Sequence, residues 1–432
     1  MTQREERTSP VGALASVEGE GVMYARSRGG TVEQVRLEIY QPPRFLEAFL
    51  RGRAYTELPG IAARVCGICP VAYQMSACKA IEDACGVTVG GQLGELRRLL
   101  YCGEWIESNA LHIYLLHAPD FLGYPSANEL AGDHRPLVER GLALRRAGNA
   151  IMETVGGRSM RPVNVRVGGF YRAPARAELT ALRQRLDHAL DLAVETVQWV
   201  AGFEFPDFHC GHEQLALSHP GRYPIEDGTI TTDRGLTFTA AAFEDHVIEK
   251  HVPHSTAMRA RLAGRGAYLT GPQARYSVNW SLLSPLAQQV AMEAGLGSTS
   301  DNPFRSVIVR AVETVYAIEE AMRLIDAYEP PEQAAVAILA RAGTGYGMTE
   351  APRGVLYHRY TLAADGTVLT ARIVPPTAQN QAAIEADLRR FVQDRLGLAD
   401  DQLTRACERL IRSYDPCISC AAHFLELRLD RT

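Results

Sequence analysis

Two Cys-x-x-Cys pairs lie near opposite ends of this chain of 432 residues, Cys66 with Cys69 and Cys417 with Cys420. Two intervening residues form a tight turn, which lets both sulfurs of a pair bind one ion without straining the backbone. Thiolates are soft ligands that select zinc, iron–sulfur clusters and similar metals. Two matched pairs therefore predict one metal site with four thiolate ligands, closed by the two ends of the fold.

The identity of the metal is the first question that the pairs raise. Spacing alone favours structural zinc, because four thiolates suit its tetrahedral geometry, and leaves iron–sulfur chemistry as the alternative. Zinc ribbons, however, close short loops, with pairs roughly 15–20 residues apart. The two pairs here are much farther apart, in a chain long enough to have a large core, and acidic, basic and guanidinium groups surround both pairs. These features favour a reactive metal centre.

Composition and charge narrow the class of protein. The chain is 46% hydrophobic and 22% charged, which is typical of a soluble globular protein. A net charge of −5 gives no reason to expect nucleic acid or an anionic membrane as a partner. No apolar run is long enough for an integral membrane segment. Residues 1–10 lack the apolar core of a signal peptide and predict a tail, so we expect a cytoplasmic location, unless a partner carries an export signal.

The other cysteines do not extend the metal site. Nine cysteines in a chain of this length do not indicate a disulfide framework. Five of them have no ligand-like spacing and are expected to be small buried side chains: Cys78, Cys85, Cys102, Cys210 and Cys407. His209 and His212 flank Cys210, and we interpret this segment as a packed turn rather than a zinc site.

The elements that must position the two pairs are mostly helical. Helical spacing and breakers predict helices over residues 44–50, 70–85, 92–116, 135–155, 175–201, 302–327, 381–396 and 402–414, and hairpins over 21–40 and 354–374. Four of these helices exceed twenty residues. The predicted fold class is mainly α with small β hairpins (α+β), a single domain over residues 1–432 around a bundle of long helices.

The sequence around both pairs resembles a known family. Arg64-Val-Cys-Gly-Ile-Cys-Pro70 and Asp415-Pro-Cys-Ile-Ser-Cys-Ala-Ala-His423 are similar to the paired signatures of the large subunit of nickel–iron hydrogenases. The resemblance extends over nearly the whole chain, through Val17-Glu18-Gly19, Phe45-Leu-Glu47-Ala-Phe49, Leu116-His-Ala-Pro-Asp120, Thr270-Gly-Pro-Gln-Ala-Arg-Tyr276 and Thr349-Glu-Ala-Pro-Arg353-Gly354. Val374-Pro-Pro-Thr-Ala-Gln-Asn380 resembles the soluble branch coupled to NAD(P), which includes sulfhydrogenases.

The resemblance implies a Ni-Fe centre with cyanide (CN) and carbon monoxide (CO) ligands on the iron. Cys66 and Cys417 would be terminal ligands of nickel, whereas Cys69 and Cys420 would bridge nickel and iron. The implied reaction is the reversible heterolytic cleavage of H2 to protons and electrons. Such a reaction needs a base beside the metal.

The resemblance also assigns roles to side chains around this centre. The thiolate of Cys417 would take the proton and Glu18 would relay it. Arg353 would lie over the iron cyanides, where a planar guanidinium suits a small anion, and Asp120 and Asp415 would hold that guanidinium.

A second metal site and a hydroxyl donor follow from the same resemblance. Glu47, His423 and the backbone carbonyl of Arg372 would bind Mg2+ or Fe2+, since carboxylate and carbonyl oxygens suit a hard ion. Pro376 stands where many members have a hydroxyl donor to a cyanide, so Thr377 is expected to supply that hydrogen bond.

Several of these residues have a structural alternative that the sequence leaves open. Glu18 would then be a solvated strand residue or a helix cap, and Glu47 would be one polar position on an amphipathic helix. Arg353 would pair with a surface glutamate, and Asp415 would start a turn before its proline.

The sequence departs from the commonest family pattern at three places. Tyr73 stands where the family usually has a histidine that contacts a bridging sulfur, and Glu20 replaces a frequent histidine. Residues 424–432 form a shorter tail than the extension that is usually removed during maturation. The sequence leaves open whether this tail stays, and we expect cleavage after His423.

The resemblance implies partners as well. An iron–sulfur small subunit would carry electrons away, and flavin- and NAD(P)-binding diaphorase subunits would follow, since this chain has no dinucleotide fingerprint. The iron–sulfur clusters and the flavin would be only on these partner subunits. Maturation would need a nickel chaperone and an endopeptidase. The alternatives are an H2-sensing regulatory hydrogenase, a non-catalytic subunit like that of respiratory complex I, which has lost the cysteines, and a protein stabilised by zinc.

Overall fold

The computed structural model describes the backbone of residues 7–13, 21–39, 44–417 and 426–431, and the side chains of 22–38, 47–255 and 257–417. Glu18, Glu20, Cys420 and His423 therefore lie outside the described residues. The α-helices of the described chain are α1 (Arg44–Leu50), α2 (Leu58–Ala62), α3 (Pro70–Cys85), α4 (Gly91–Leu111), α5 (Ala118–Leu122), α6 (Ala127–Asp133), α7 (Arg135–Gly156), α8 (Arg176–Ala201), α9 (Phe243–His246), α10 (Pro272–Asn279), α11 (Pro285–Glu293), α12 (Ser306–Asp326), α13 (Pro376–Gln393) and α14 (Asp400–Tyr414).

A bundle of long helices forms the centre of the fold, as the sequence predicts. Helix α4 packs against α7 and α12, and α8 packs against the same two helices. On α8 the buried positions recur every three or four residues, as at Leu179, Leu182 and Leu186, which is the stripe of an amphipathic helix. Helix α12 instead buries nearly all of its length, because it lies inside the bundle. None of the described helices combines the length and apolar character needed to cross a membrane.

Helix boundaries differ from the predictions where proline or a change of helix type intervenes. The helix predicted over 92–116 ends as α4 at Leu111 and continues as a π-helix over His112–His117. Helix α13 begins at Pro376, five residues before the predicted start, because proline is tolerated in the first turn of a helix. A 3-10 turn over Pro303–Arg305 precedes α12.

The described strands form small sheets around the helices. They are β1 (Arg7–Ala13), β2 (Gly21–Arg28), β3 (Thr31–Ile39), β4 (Val165–Arg166), β5 (Gly169–Phe170), β6 (Glu213–Ser218), β7 (Thr229–Thr232), β8 (Thr237–Phe238), β9 (Val247–Val252), β10 (Ser255–Leu262), β11 (Tyr268–Leu269), β12 (Gly343–Ala351), β13 (Gly354–Leu362), β14 (Val368–Val374) and β15 (Glu426–Arg431). The sheets have the orders β1-β15-β2-β3, β11-β6-β7-β8, β12-β13-β14, β10-β9 and β4-β5.

The three-stranded sheet supports the helix that follows the first cysteine pair. Strands β13 and β14 are the predicted hairpin, whereas β12 was not predicted. Helix α3 lies directly on β12 because two residues of β12, Gly345 and Gly347, have no side chain. A Cβ atom at Gly347 would lie 2.1 Å from the carbonyl oxygen of Ser76, and one at Gly345 would lie 2.1 Å from that of Ala80. The same glycines remove the alternating side chains by which a strand is recognised in a sequence.

The two ends of the chain meet in the sheet β1-β15-β2-β3. Strand β15 pairs antiparallel with β1 and parallel with β2, and β2 forms the predicted hairpin with β3. Helix α13 packs against β3. This sheet therefore joins segments from near both ends of the chain.

Candidate metal centre

Three cysteine sulfurs from the two ends of the chain converge in the interior. The Sγ atoms of Cys66 and Cys417 are 3.5 Å apart, and those of Cys66 and Cys69 are 2.7 Å apart. All three residues are buried, with 1%, 3% and 2% exposure for Cys66, Cys69 and Cys417. Among the described residues they form the one group of three or more potential ligands whose atoms lie within 4.8 Å of one another.

This geometry fits a metal bound by thiolates. Sulfur ligands about 2.3 Å from one ion lie no more than about 4.6 Å from each other, and the separations of 3.5 and 2.7 Å from Cys66 Sγ are within that limit. The predicted convergence of Cys66, Cys69 and Cys417 is therefore confirmed, and Cys420 lies outside the described residues.

The first pair sits in a turn between α2 and α3. The backbone N–H groups of Ile68 and Cys69 donate to Cys66 Sγ, at 3.4 and 3.1 Å. Such donors favour the negatively charged form of a sulfur. Helix α3 starts at Pro70, so Cys69 is the residue immediately before the helix.

The second pair follows the end of α14. Asp415 adopts a left-handed conformation with φ of 49°, which ends the helix and turns the chain inward. The N–H of Cys417 donates to Thr377 Oγ1 at 3.1 Å, and the Thr377 hydroxyl donates back to the Cys417 carbonyl at 3.4 Å. Thr377 thus fixes the backbone of Cys417 to the start of α13. Its predicted contact with a cyanide ligand remains a prediction.

Arg353 lies in the turn between β12 and β13 and is 2% exposed. Its Nε donates to the carbonyl oxygen of Asp415 at 3.1 Å and its Nη2 donates to Asp415 Oδ1 at 3.0 Å. Its Nη1 donates to Ser108 Oγ on α4 at 3.4 Å. The predicted contact between Asp415 and Arg353 is confirmed, and it excludes the alternative of a surface arginine.

A second buried arginine near the site was not predicted. Arg310 on α12 is 1% exposed and its Nη1 forms an ion pair of 3.2 Å with Asp415 Oδ2. Burial lowers the pKa of Arg310 to about 10, while Asp415 raises it and Arg353 lowers it further. The signal in the sequence was an arginine within the apolar run from Val307 to Val312, because a buried guanidinium requires a carboxylate partner.

Asp120 does not hold the guanidinium of Arg353, and this prediction is wrong. Both carboxylate oxygens of Asp120 accept hydrogen bonds of 2.6 Å from Arg412 on α14. Burial raises the pKa of Asp120, an effect that Arg412 partly offsets. Asp120 follows the π-helix, which changes the direction of the side chains after it. Ser108, rather than Asp120, accepts the hydrogen bond from Arg353.

Glu47 on α1 lies beside the predicted carbonyl ligand. Its Oε1 accepts a hydrogen bond of 2.7 Å from the N–H of Ile373, the residue after Arg372 on β14. The side chain of Arg372 points to Glu249, with an ion pair of 2.6 Å. The Glu47 carboxylate is thus next to the peptide group that joins Arg372 to Ile373, whereas His423 lies outside the described residues.

Tyr73, in the place of the usual family histidine, is 1% exposed on α3. An imidazole that the sequence did not single out lies next to it, since the rings of Tyr73 and His358 are 5.7 Å apart. Burial lowers the pKa of His358 to about 3, so its ring is neutral near pH 7, and Nδ1 lies 2.8 Å from the Tyr360 hydroxyl.

The segment from His209 to His212 forms no metal site in the described chain. His209 pairs with Asp301 at 2.7 Å and His212 pairs with Asp387 at 3.0 Å. The Cys210 sulfur lies 3.2 Å from the Tyr414 hydroxyl. These separate partners agree with a packed turn.

Comparison with known proteins supports the assignment of the centre. A family model described as nickel-dependent hydrogenase matches residues 44–135 and 291–423. These ranges contain Cys66, Cys69, Cys417 and Cys420.

Individual relatives match over nearly the full length. The chain is 32% identical to sulfhydrogenase 1 subunit alpha of Pyrococcus furiosus over 422 residues, which is 96% of this chain and 97% of the relative. It is 27% identical to the NAD-reducing hydrogenase HoxS subunit beta of Cupriavidus necator, over 95% of this chain and 94% of the relative. A crystal structure of an NAD+-reducing [NiFe]-hydrogenase in the H2-reduced state matches with a TM-score of 0.85 and 25% identity, covering 96% of this chain and 99% of that one. The chain therefore belongs to the nickel-dependent hydrogenase family, as a large subunit of the nickel–iron type.

Proposed function

We propose that this chain cleaves H2 reversibly at a nickel–iron centre held by Cys66, Cys69, Cys417 and Cys420, with CN and CO ligands on the iron. The observation that carries the proposal is the convergence of three buried sulfurs, two from one end of the chain and one from the other. When bound, the metal pair supplies the redox and Lewis-acid chemistry of H2 cleavage. The protein's part is to hold the ligands, exclude water and move protons.

Arg353 and Asp415 form the polar wall of this proposed centre. Asp415 fixes the guanidinium through its carbonyl and its carboxylate, and the fixed donors of a guanidinium suit small anions such as cyanide. Asp415 is two residues before Cys417, so the bonds that hold Arg353 also fix the backbone that delivers that sulfur. Positioning of this kind lowers the cost of reorganisation during the reaction.

Proton transfer is assigned to Cys417 as the acceptor and Glu18 as the relay. Glu18 lies outside the described residues, so the support for its role is the similarity of Val17-Glu18-Gly19 to the family pattern. Glu18→Gln should block H/D exchange while nickel content stays normal. Normal exchange in that variant would remove Glu18 from the relay.

A second site for Mg2+ or Fe2+ is proposed at Glu47, the carbonyl of Arg372 and His423. Its support is the position of the Glu47 carboxylate against the peptide that follows Arg372. Glu47→Gln should lower the magnesium or extra iron content of the purified protein without removing nickel. An unchanged metal content would exclude this site.

The electron acceptor is proposed to be an iron–sulfur small subunit, followed by flavin- and NAD(P)-binding subunits, in the cytoplasm. The support is the similarity to the NAD-reducing hydrogenase of Cupriavidus necator and the fold shared with an NAD+-reducing enzyme. Purification of the native complex and identification of its subunits would test this assignment directly.

Removal of residues 424–432 after His423 is proposed as part of maturation, with a nickel chaperone and an endopeptidase as partners. This cleavage would release strand β15, which lies between β1 and β2. Mass spectrometry of the nickel-loaded protein should find a chain that ends at His423, and a nickel-loaded chain that ends at Thr432 would contradict the proposal.

The metal assignment can be tested with a matched pair of cysteine variants. Cys66→Ala removes a proposed ligand, whereas Cys78→Ala removes a buried thiol of α3 whose pKa burial raises to about 12. Loss of nickel and of H2 oxidation in the first variant, with both retained in the second, supports the proposal. Equal nickel content in both variants would refute it.

A further inference from the structure

The first turn of helix α3 contains backbone N–H groups that need hydrogen-bond acceptors from outside the helix. The first N–H groups of a helix have no partner within the helix, and the residue before the helix commonly supplies one through its side chain. Cys69 holds that position, but its side chain makes no capping hydrogen bond and its sulfur lies next to Cys66 Sγ. Pro70 has no N–H, so Val71 and Ala72 carry the first donors that need an acceptor.

Glu104 on the neighbouring helix α4 accepts both of these donors. The N–H of Val71 lies 2.6 Å from Glu104 Oε1, and the N–H of Ala72 lies 3.1 Å from Glu104 Oε2. The carboxylate is fully buried, at 0% exposure. A negative charge at the N-terminal end of a helix is also favoured by the helix dipole.

The backbone that carries Glu104 is held tightly. Gly103, the preceding residue, crosses Gly148 of α7 so closely that a Cβ atom at Gly148 would lie 2.6 Å from the carbonyl oxygen of Gly103. This contact leaves α4 little freedom to slide along α7. The carboxylate is therefore presented to α3 from a rigid element.

Glu104 differs from the other buried glutamates near it. Glu82 is bound by Arg97, and Glu313 is bound by Arg275, in each case through two hydrogen bonds. Glu104 forms no ion pair with an arginine or lysine among the described residues, and its hydrogen bonds there are those to Val71 and Ala72. A buried carboxyl without a cation is costly, so its place in this fold requires a specific function.

We propose that Glu104 is a positioning residue for the metal ligand Cys69, because it caps helix α3 from outside while the Cys69 sulfur faces the thiol of Cys66. The inference rests on the proposed nickel–iron centre. Without the external cap, the first turn of α3 has to find another acceptor, and the direction of the Cys69 side chain is no longer fixed.

Burial and the backbone donors have opposite effects on the pKa of Glu104. Burial raises it to about 8, the N–H groups of Val71 and Ala72 lower it, Glu107 raises it and Arg353 lowers it. The two backbone donors are thus the largest stabilising influence on its charged form.

Two substitutions in the native complex test the proposal. Glu104→Ala removes the acceptor, and Glu104→Gln keeps the shape but offers one acceptor in place of two. We expect nickel content to fall about tenfold in the alanine variant and less in the glutamine variant, as is typical when a group that orients a metal ligand is lost. In the fraction that still contains metal, the infrared bands of the CN and CO ligands should shift, because Cys69 would be a ligand of the iron that carries them.

Glu82→Gln is the matched control, since Glu82 is a buried acid near the opposite end of α3 that accepts the N–H of Gly168. It should leave both nickel content and the infrared bands unchanged. Wild-type nickel and unshifted bands in Glu104→Ala would overturn the role of Glu104 and leave the proposed function intact. A wild-type complex without nickel would instead refute the proposed function.

A measurement on the wild-type protein covers the case in which neither variant folds. A crystal structure of the metal-loaded complex should have the Glu104 carboxylate within hydrogen-bonding distance of the Val71 and Ala72 N–H groups, with Cys69 bound to metal. A carboxylate turned away from α3 in that structure would overturn the inference.

Discussion

Asp415→Asn should loosen the end of the chain that delivers Cys417. Asp415 is 4% exposed and its carboxylate lies between Arg353, at 3.0 Å, and Arg310, at 3.2 Å. Asparagine keeps the shape but removes a negative charge that contacts both guanidinium groups. Breaking a buried ion pair from one side costs about 3–5 kcal/mol. Because the amide oxygen still accepts a hydrogen bond, we expect about 3 kcal/mol.

Amide hydrogen exchange in the native complex measures this loss locally. A decrease of about 3 kcal/mol in the free energy of local opening corresponds to roughly a hundredfold faster exchange in peptides that span residues 403–417. Burial lowers the pKa of Arg310 to about 10 in the wild-type chain, and Asp415 raises it. Loss of the Asp415 charge should therefore lower this pKa further.

Asp120→Asn is the control for this experiment. Asp120 is also bound by an arginine, Arg412, through two bonds of 2.6 Å, but it does not contact Arg353. Because Arg412 itself lies within residues 403–417, exchange there should also become faster, but the nickel content should stay normal. If Asp415→Asn changes exchange by less than about threefold, or if Asp120→Asn has the larger effect on nickel, the assigned roles of the two aspartates are wrong.

Three further outcomes follow from the same geometry. Cys417→Ser should abolish nickel retention as measured by elemental analysis, and unchanged nickel would contradict its assignment as a ligand. Arg353→Lys should lower H2 turnover strongly with nickel retained, because the compact ammonium of lysine cannot reproduce the planar fork that reaches Asp415 and Ser108 together; wild-type turnover would mean that the planar group is not needed. His358 has a pKa near 3 in the folded chain and about 6.5 when unfolded, so the unfolded state binds its proton first and stability falls as pH drops from about 6.5 to 3, by at most about 5 kcal/mol. His358→Gln should flatten that part of a profile of thermal inactivation against pH, and an unchanged slope would contradict this origin.

The predictable part of the fold is the set of long helices. Their ends coincide with breakers that act locally, such as Gly86 after α3 and Gly157 after α7. Strand β12 was missed because the glycines that let α3 lie on it also remove the alternating side chains of a strand. Strands β6 and β11 pair Glu213 with Tyr268, which are far apart in the chain, so neither strand has much local signal.

The predictable part of the site is the set of metal ligands and the arginine near them. Motif spacing was sufficient for Cys66, Cys69 and Cys417, because ligands of one ion must converge whatever the intervening fold. The surroundings of Arg353 and Asp415 depend on how α4 and α12 pack, so neither the contact of Ser108 with Arg353 nor that of Arg310 with Asp415 could be read from a motif.

X-ray absorption at the nickel edge, on the anaerobically purified native complex, tests the central claim most directly. The account predicts nickel in equal amount to this chain, with four sulfur neighbours and a nearby iron. Zinc in place of nickel, or nickel surrounded mainly by nitrogen and oxygen, would contradict it.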